Sequence, residues 1–431
     1  MLYVLDEPSI GLHPANIKGL IGVMNDLIND GNSVVLVDHD VQILNAADWM
    51  IEMGPKAGAG GGTVVAEGPL QKIEANPKSL IGPFLSGQTI RSRRVTPKEH
   101  MFDLGVISME TDSIHTVHPL SVRIPKGRLT VVTGVSGSGK STLILESLVP
   151  GLLNKLAGKP LPAHVKSIDA PDIRQVKLID ASPIGINVRS TVATYANVHD
   201  ELRKVFARTE DAKALGWKSS DFSYNTGKLR CPVCDGTGIV SLDVQFLPDV
   251  DVPCPECRGS RYAADAMKVK HRNKENEGYS LPEIMAMDIT TALKACDGLK
   301  LVSQRLKVLE DLGLGYLTLG EATPLLSGGE AQRLKLASEM GKTQSDAVFV
   351  FDEPTIGLHP LDVLTLLKVF QRLIENGATV IVIEHDLDVI RNADWIIDLG
   401  PGGGTEGGLI VAAGTAADIR ETPESRTGKF I

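Results

Sequence analysis

The sequence predicts an α/β fold built on a parallel, helix-covered sheet, and three observations support this prediction. Residues 5–14 recur almost unchanged as residues 351–360, and in both copies a short strand pattern runs into an acidic pair. Each copy continues with an amphipathic helix pattern and then a β-branched run. A glycine-rich loop lies between a strand pattern at 129–133 and a helix pattern at 142–148. Strands that alternate with helices in this way are typical of parallel sheets.

Length and composition indicate a multidomain globular protein. The 431 residues suffice for two or three domains, and 42% hydrophobic with 23% charged residues excludes a disordered chain. The longest apolar runs, such as 34–37 and 347–351, are far shorter than the roughly 18 residues of a membrane span. No secretory signal pattern opens the sequence. We therefore expect a cytoplasmic location and no membrane partner.

Residues 134–141 fit G-x-x-x-x-G-K-[ST], the phosphate-binding loop of nucleotide hydrolases. Its glycines let backbone N–H groups face phosphate, while Lys140 bridges the β- and γ-oxygens and Ser141 offers its hydroxyl to Mg²⁺. A merely flexible turn is disfavoured, because strand, loop, lysine and helix pattern follow in order. The predicted ATP-binding residues of this loop are Gly134, Ser136, Gly137, Ser138, Gly139, Lys140, Ser141 and Thr142.

The acidic pair of the second repeat follows a buried-strand pattern, which predicts that Asp352 lies beside this loop and binds Mg²⁺. Glu353 is then expected to polarise the attacking water, and His385 to contact the γ-phosphate or that water. A histidine after a strand is usually a surface residue, but its twin His39 occupies the same place in the first repeat. The predicted catalytic residues are Glu353, His385 and Lys140.

Ser327, Gly328 and Gly329 stand at the start of another amphipathic helix pattern. The simplest interpretation is a serine that caps a helix. The second interpretation is an anion-binding helix terminus, which would add these three residues to a nucleotide site.

Four of the five cysteines form two C-x-x-C pairs, and nineteen residues separate the pairs. This spacing fits a Cys₄ zinc site that closes a small hairpin. Buried free thiols or a redox pair are the alternative, which two matched pairs make less favourable. The predicted zinc ligands are Cys231, Cys234, Cys254 and Cys257.

The repeat sets the expected domain organisation. An offset of 346 residues separates Asp6 from Asp352, and the same offset relates Trp49 to Trp395. Two homologous lobes are therefore expected, of which the first is truncated. The predicted segments are the end of the first lobe (1–85), a linker (86–100), the ATP-binding core of the second lobe (101–200), an inserted domain with the zinc module (201–325), and the remainder of the second lobe (326–431).

The phosphate loop, the 327–329 segment, the acidic pair and the histidine together resemble the ABC class of ATPases. The repeated D-E-P-[ST]-I-G-L-H, the cysteine hairpin with residues 246–250 between its pairs, and segment 180–195 narrow this resemblance. The whole chain resembles the C-terminal half of the UvrA family together with the end of its N-terminal half.

This resemblance implies an ABC-type P-loop ATPase fold with a parallel-sheet core, a helical signature region and an inserted zinc hairpin. It implies that ATP, Mg²⁺ and Zn²⁺ are cofactors, and that Ser327, Gly328 and Gly329 complete the nucleotide site of an opposing lobe. It also implies a homodimer that binds damaged duplex DNA and hands it to UvrB-like excinuclease subunits in nucleotide excision repair, without being a nuclease itself.

The net charge of −9 requires any DNA contact to come from local patches. The candidate patch surrounds the cysteines, and a merely solvated basic face is the alternative. The basic residues of this patch are Arg230, Arg258, Arg261, Lys268, Lys270 and Arg272.

Ala181 stands where the UvrA family has glutamine. Two alternatives therefore remain open, namely a UvrA-like ATPase of drug resistance or regulation without excinuclease partners, and an inactive gene fragment.

Overall fold

The computed structural model describes residues 1–55, 60–87, 96–185, 187–242, 250–340 and 344–431. Most of the predicted linker 86–100 and residues 246–249 of the hairpin motif lie outside these ranges. Two compact units are present, one formed by Met1–Ala181 with Lys342–Ile431 and the other by Ser182–Gly341. The division into five functional segments stays a prediction. Across the ranges described, no helix is long and apolar enough to cross a membrane.

The secondary structure alternates between strands and helices. The strands are, in chain order, β1 (Leu2–Asp6), β2 (Ser33–Val37), β3 (Met50–Gly54), β4 (Thr63–Gly68), β5 (Val106–Thr111), β6 (Leu120–Pro125), β7 (Leu129–Gly134), β8 (Val165–Asp169), β9 (Gln175–Ile179), β10 (Ile239–Leu242), β11 (Val250–Pro253), β12 (His271–Arg272), β13 (Gly278–Tyr279), β14 (Ala347–Asp352), β15 (Thr379–Ile383), β16 (Trp395–Gly400) and β17 (Leu409–Gly414). The α-helices are α1 (Pro14–Asn29), α2 (Val41–Leu44), α3 (Leu70–Glu74), α4 (Gly82–Leu85), α5 (Val149–Leu156), α6 (Val192–Tyr195), α7 (Val198–Phe206), α8 (Glu210–Ala214), α9 (Leu281–Met285), α10 (Ile289–Ala295), α11 (Lys300–Asp311), α12 (Gly328–Glu339), α13 (Pro360–Glu375), α14 (Leu387–Arg391) and α15 (Ala416–Glu421). Short 3₁₀ turns include Thr427–Lys429.

The core of the first unit is a six-stranded sheet with the order β17-β16-β7-β15-β14-β9. Its strands run parallel, except that β17 pairs antiparallel with β16. Every residue of β7 and β15 is buried, as expected for central strands that are covered on both faces. The parallel, helix-covered sheet that the sequence predicts is thus confirmed.

The helix predicted after the phosphate loop differs in detail from an α-helix. Thr142–Leu148 is a π-helix that continues into α5, and the Ser147 hydroxyl donates to the Thr142 carbonyl over 2.8 Å. The wider turn still directs Ile144 and Leu148 into the main hydrophobic core. The antiparallel sheet β6-β5-β8 contributes to the same core.

The first repeat forms two separate two-stranded sheets, a parallel pair β1-β2 and an antiparallel pair β3-β4. In the second repeat β7 lies between the equivalent strands β15 and β16, whereas no strand within the described ranges lies between β2 and β3. Several strand side chains that are buried in the second repeat are consequently exposed in the first. Val4 is 69% exposed and Val35 is 52% exposed, while their equivalents Val350 and Ile381 are fully buried.

The second unit is mainly helical and contains two short antiparallel hairpins, β10-β11 and β12-β13. Its largest buried side chains include Phe206, Phe222 and Tyr224. The four paired cysteines lie at the base of the β10-β11 hairpin, where Val240 packs against them. This unit therefore has its own hydrophobic interior and its own candidate metal site.

Candidate functional site

The phosphate-binding loop starts at Gly134, the last residue of β7. Gly134 has φ +135°, and a Cβ there would lie 2.0 Å from the Leu399 carbonyl oxygen. At Gly139, with φ +97°, a Cβ would lie 2.6 Å from a methyl group of Val117. These positions therefore require glycine. The buried Ser138 hydroxyl has no hydrogen-bond partner among the described residues, so the loop retains unused polar capacity that fits a phosphate.

Lys140 lies inside this loop and is 6% exposed. Its Nζ donates to the carbonyl oxygens of Gly134 and Val135, both over 3.1 Å. Burial lowers the pKa of Lys140 to about 8, although the negative charges of Glu353 and Asp398 oppose this shift. The ammonium group is consequently still mostly protonated at pH 7, as a phosphate-binding lysine must be.

The acidic pair follows directly from β14, because Asp352 is the last residue of that strand. Burial, followed by repulsion from Glu353 and Asp180, raises the pKa of Asp352 to about 6. A nearby cation would favour the ionised form of such a carboxyl group. The chemistry of Asp352 therefore fits the predicted role of Mg²⁺ ligand.

Glu353 adopts a left-handed backbone conformation with φ +44°, and its N–H donates to the Ile383 carbonyl oxygen over 3.0 Å. Its carboxylate Oε1 lies 3.5 Å from Nε2 of His385. Interaction with His385 lowers the pKa of Glu353 despite its burial. Glu353 is thus a carboxylate at neutral pH, the form that accepts a proton from water.

His385 lies two residues beyond β15 and is 8% exposed. It is therefore a buried residue and not the ordinary surface histidine that usually follows a strand. The preceding Glu384 was missed by the sequence prediction, and it organises the turn. Its Oε1 accepts from the Thr355 backbone N–H and its Oε2 accepts from the His385 backbone N–H. Asp38 has the same role in the first repeat, where it accepts from the Ser9 hydroxyl over 2.6 Å. An acidic residue before each twin histidine was the available sequence signal.

The two repeats face each other, and each places a glycine next to the glutamate of the other repeat's acidic pair. A Cβ on Gly11 would lie 3.4 Å from Oε2 of Glu353, and one on Gly357 would lie 3.4 Å from Oε2 of Glu7. The Ser136 hydroxyl also donates to the Gly11 carbonyl oxygen over 3.1 Å. A cleft of about 400 Å³ is lined by residues from both repeats. The first repeat therefore contributes directly to the surroundings of Glu353.

The predicted signature residues lie in the second unit, where Ser327 is the N-cap of α12. Its hydroxyl accepts from the Glu330 N–H over 3.3 Å, and Glu330 Oε2 accepts from the Ser327 N–H over 2.7 Å. This capping box explains the local sequence. The contribution of Ser327, Gly328 and Gly329 to a nucleotide site stays a prediction.

The four paired cysteines form a cluster in which all sulfur atoms lie within 4.8 Å of one another. Sγ of Cys231 is 3.9 Å from that of Cys254, and Sγ of Cys234 is 3.6 Å from that of Cys257. Tetrahedral zinc with bonds of about 2.3 Å needs sulfur–sulfur distances of roughly 3.8 Å. The cluster therefore fits Zn²⁺, as predicted. The Gly238 N–H points at the Cys234 sulfur over 3.3 Å.

The basic residues around the cysteines do not form a uniform exposed patch. Arg261 is 7% exposed, donates to the Val188 carbonyl oxygen over 2.9 Å and stacks over the Tyr224 ring. Arg230 pairs with Asp235 over 2.9 Å. Arg261 thus has a structural role in this hairpin, and phosphate contacts here would depend on its exposed neighbours.

Comparisons with known proteins give a consistent result, although no protein-family model matches the chain. The chain is 43% identical over 434 residues to UvrABC system protein A of Bacillus subtilis, and 43% identical over 435 residues to that of Thermus thermophilus. Each alignment covers 100% of this chain and 45% of the relative. The chain therefore spans about half the length of the curated relatives it matches.

Solved structures agree with this similarity. UvrA2 from Deinococcus radiodurans superimposes with a TM-score of 0.89 at 37% identity, covering 100% of this chain and 51% of that one. The archaeal ribosome recycling factor aABCE1 superimposes with a TM-score of 0.50 at 16% identity, covering 97% of this chain and 61% of that one, which supports the fold alone. The predicted ABC-type α/β fold is confirmed. Over its whole length the chain is similar to UvrA proteins.

Proposed function

We propose that this chain binds and hydrolyses ATP as part of a UvrA-type DNA-repair protein. One observation carries the proposal: the phosphate loop, Asp352, Glu353 and His385 follow neighbouring strands at the carboxyl edge of one sheet, in a chain that resembles UvrA throughout. Carboxyl edges of parallel sheets are the usual ligand sites of such folds.

In this proposal, each group at the sheet edge has one role. Lys140 and the loop N–H groups bind the phosphates, while Ser141 and Asp352 hold Mg²⁺. ATP supplies the phosphoryl group, and Mg²⁺ neutralises charge on its oxygens. Glu353 accepts a proton from the attacking water, which its lowered pKa and its contact with His385 support. His385 orients Glu353 and contacts the water or the γ-phosphate.

The wider assembly is proposed from the similarity to UvrABC system protein A. We propose that the chain acts on damaged duplex DNA in the cytoplasm as a homodimer, together with UvrB-like excinuclease subunits. Ser327, Gly328 and Gly329 would complete the nucleotide site of an opposing lobe. Zn²⁺ bound by the four cysteines would hold the hairpin of the second unit in shape.

The first test compares Lys140→Ala with Glu353→Gln. Lys140→Ala should weaken ATP binding by about tenfold or more, because it removes a charge-assisted phosphate contact. Glu353→Gln should bind ATP with near-normal affinity and hydrolyse it about a hundredfold more slowly, because it removes the general base. Titration calorimetry and steady-state hydrolysis assays measure the two effects. Repeating the assays with damaged and undamaged duplex DNA tests the proposed partner.

Glu7→Gln is the matched control, because Glu7 has the same φ of +44° and its own histidine contact at 3.6 Å. This variant should retain most of the activity. If Glu353→Gln hydrolyses ATP as fast as the unmodified chain, Glu353 is not the general base. If Glu7→Gln and Glu353→Gln lose activity equally, the loss does not report on the site beside Lys140.

A further inference from the structure

His13 of the first repeat is completely buried beside the candidate nucleotide site of the second. Its ring packs edge to face against His385, with centroids 5.8 Å apart and an interplanar angle of 82°. Its Nδ1 accepts from the Ala15 backbone N–H over 3.1 Å, as the N-cap of α1. Because Nδ1 accepts a hydrogen bond, the neutral ring carries its proton on Nε2.

Nε2 of His13 starts a chain of hydrogen bonds in which the donor and the acceptor of each bond can be assigned. Nε2 of His13 lies 3.0 Å from the Thr427 hydroxyl, so it donates to that oxygen. The hydroxyl proton of Thr427 then points to Oδ1 of Asp398, also 3.0 Å away. The other carboxylate oxygen of Asp398 accepts from the Ser425 hydroxyl over 2.5 Å. Two fixed hydrogen bonds on one ring prevent His13 from rotating.

His385 needs such a fixed neighbour. Its Nε2 faces Glu353 at 3.5 Å, but its buried Nδ1 has no hydrogen-bond partner within the described part of the chain. One polar contact leaves the ring free to tilt, so packing must supply the second constraint. Among the described residues, the aromatic ring that packs against it is that of His13.

The equivalent arrangement beside His39 of the first repeat, which involves His359 of the second repeat, is built differently. His359 also caps its helix through Nδ1, at 3.2 Å from the Leu361 N–H, and its ring faces His39. However, Ile81 replaces Thr427 at the offset of 346 residues, so no hydroxyl is available there. The side chain of His39 is 39% exposed, whereas that of His385 is 8% exposed. A fixed histidine thus accompanies the site that has the described phosphate loop.

We propose that His13 is a positioning residue for ATP hydrolysis, and that the chain His13–Thr427–Asp398 holds it in the orientation that aligns His385 with Glu353. This inference rests on the proposed function in so far as His385 acts in hydrolysis. It adds the first repeat and the C-terminal segment to the machinery of the second repeat. Burial lowers the pKa of His13 to about 3, which keeps the ring neutral throughout the working range.

The experiment compares Thr427→Val, which replaces the hydroxyl by a methyl group of similar size, with Thr427→Ser, which keeps the hydroxyl. Two readouts are measured: the His385 ring resonance in histidine-labelled chain, and kcat and KM for ATP. Thr427→Val should shift or broaden the His385 resonance and lower kcat about tenfold, with KM changed less than about twofold, because alignment rather than binding is lost. Thr427→Ser should behave like the unmodified chain.

A second variant tests the inference independently, in case Thr427→Val does not fold. His13→Asn keeps a good helix cap but cannot reach Thr427 or pack against His385, so it should reproduce the effects of Thr427→Val. The matched controls His359→Asn and Ile81→Val should leave the His385 resonance unchanged. Equal effects of Thr427→Val and Thr427→Ser, or an unchanged His385 resonance in both Thr427→Val and His13→Asn, would overturn the inference.

The two readouts separate this inference from the proposed function. If the unmodified chain does not hydrolyse ATP but Thr427→Val alters the His385 resonance, the proposed function fails and the positioning contact stands. If the chain hydrolyses ATP and the His385 resonance does not respond to Thr427→Val or His13→Asn, the proposed function stands and the inference fails.

Discussion

Individual residues show how one repeated motif is used in two ways. Glu7 and Glu353 share φ +44° and the same backbone hydrogen bond to the adjacent strand. Their histidine partners lie at 3.6 and 3.5 Å. The local chemistry of the two copies is therefore the same. Their surroundings differ, because His385 is buried and in contact with a fixed ring, whereas His39 is half-exposed.

The buried His13 should make the stability of the chain sensitive to acid. Burial first, and then the charges of His385 and Lys140, lower the pKa of His13 from an ordinary value near 6.5 to about 3. Between these values the unfolded chain binds a proton that the folded chain does not, so stability is complete above pH 6.5 and falls as the pH decreases. Between pH 7 and pH 5 this group should cost about 2 kcal/mol of unfolding free energy.

Urea unfolding of the unmodified chain and of His13→Asn at the two pH values measures this effect. The unmodified chain should lose about 2 kcal/mol more than the variant on going from pH 7 to pH 5. His118→Asn, at an exposed position, is the control and should show the acid dependence of the unmodified chain. Equal acid dependence in His13→Asn and the unmodified chain would mean that His13 titrates normally.

At the scale of elements, the central strand decides which faces are buried. β14 and β15 pair in the same register as β1 and β2, so Val350 opposes Ile381 as Val4 opposes Val35. β7 with the phosphate loop and the following helix covers the second pair. The described ranges contain no equivalent cover for one face of the first pair, so Val4 and Val35 are exposed on that face.

Paired lysine substitutions test this difference between the strands. Val4→Lys should change the unfolding free energy by less than about 0.5 kcal/mol, because the side chain is already exposed. Val350→Lys should prevent stable folding, because it buries an unpaired charge at a cost of several kcal/mol. Soluble yield and urea unfolding measure both. Comparable destabilisation by the two changes would show that Val4 is covered in solution.

On the scale of the whole molecule, each compact unit has its own interior. The main hydrophobic core, with Ile144, Val350 and Ile381, lies in the first unit. The cysteine cluster lies in the second unit. The cysteine cluster and the phosphate loop are therefore built from separate sets of side chains, and we expect each to tolerate loss of the other.

Removal of the metal site tests this separation. The unmodified chain should contain about one zinc ion, and Cys231→Ser with Cys254→Ser should contain almost none, because two thiolates cannot complete a tetrahedral site. ATP affinity of the double variant should stay within about twofold, since the phosphate loop lies in the other unit. Elemental analysis and calorimetry provide the two values. Cys296→Ser removes a buried thiol outside the cluster and should retain zinc; zinc in the double variant would contradict the assignment.

The amino-acid sequence alone determined the parts of this protein that depend on neighbouring residues. The glycines that the phosphate loop requires, the acidic pair after β14, the capping serine of α12 and the cysteine spacing are local patterns with local physical causes. The similarity to UvrA proteins was predicted from the same motifs. The five-segment division and the roles of the site residues stay predictions.

The tertiary structure alone decided which of two nearly identical segments is enclosed. Val4 and Val350 have the same residue type and strand register, yet one is exposed and the other buried, because burial depends on a third strand elsewhere in the chain. The contact between His13 and Thr427 joins residues 414 positions apart, and no periodicity reports it. Long-range packing fixes such contacts, since hydrophobic patterns specify which side chains avoid water but not which neighbours they meet.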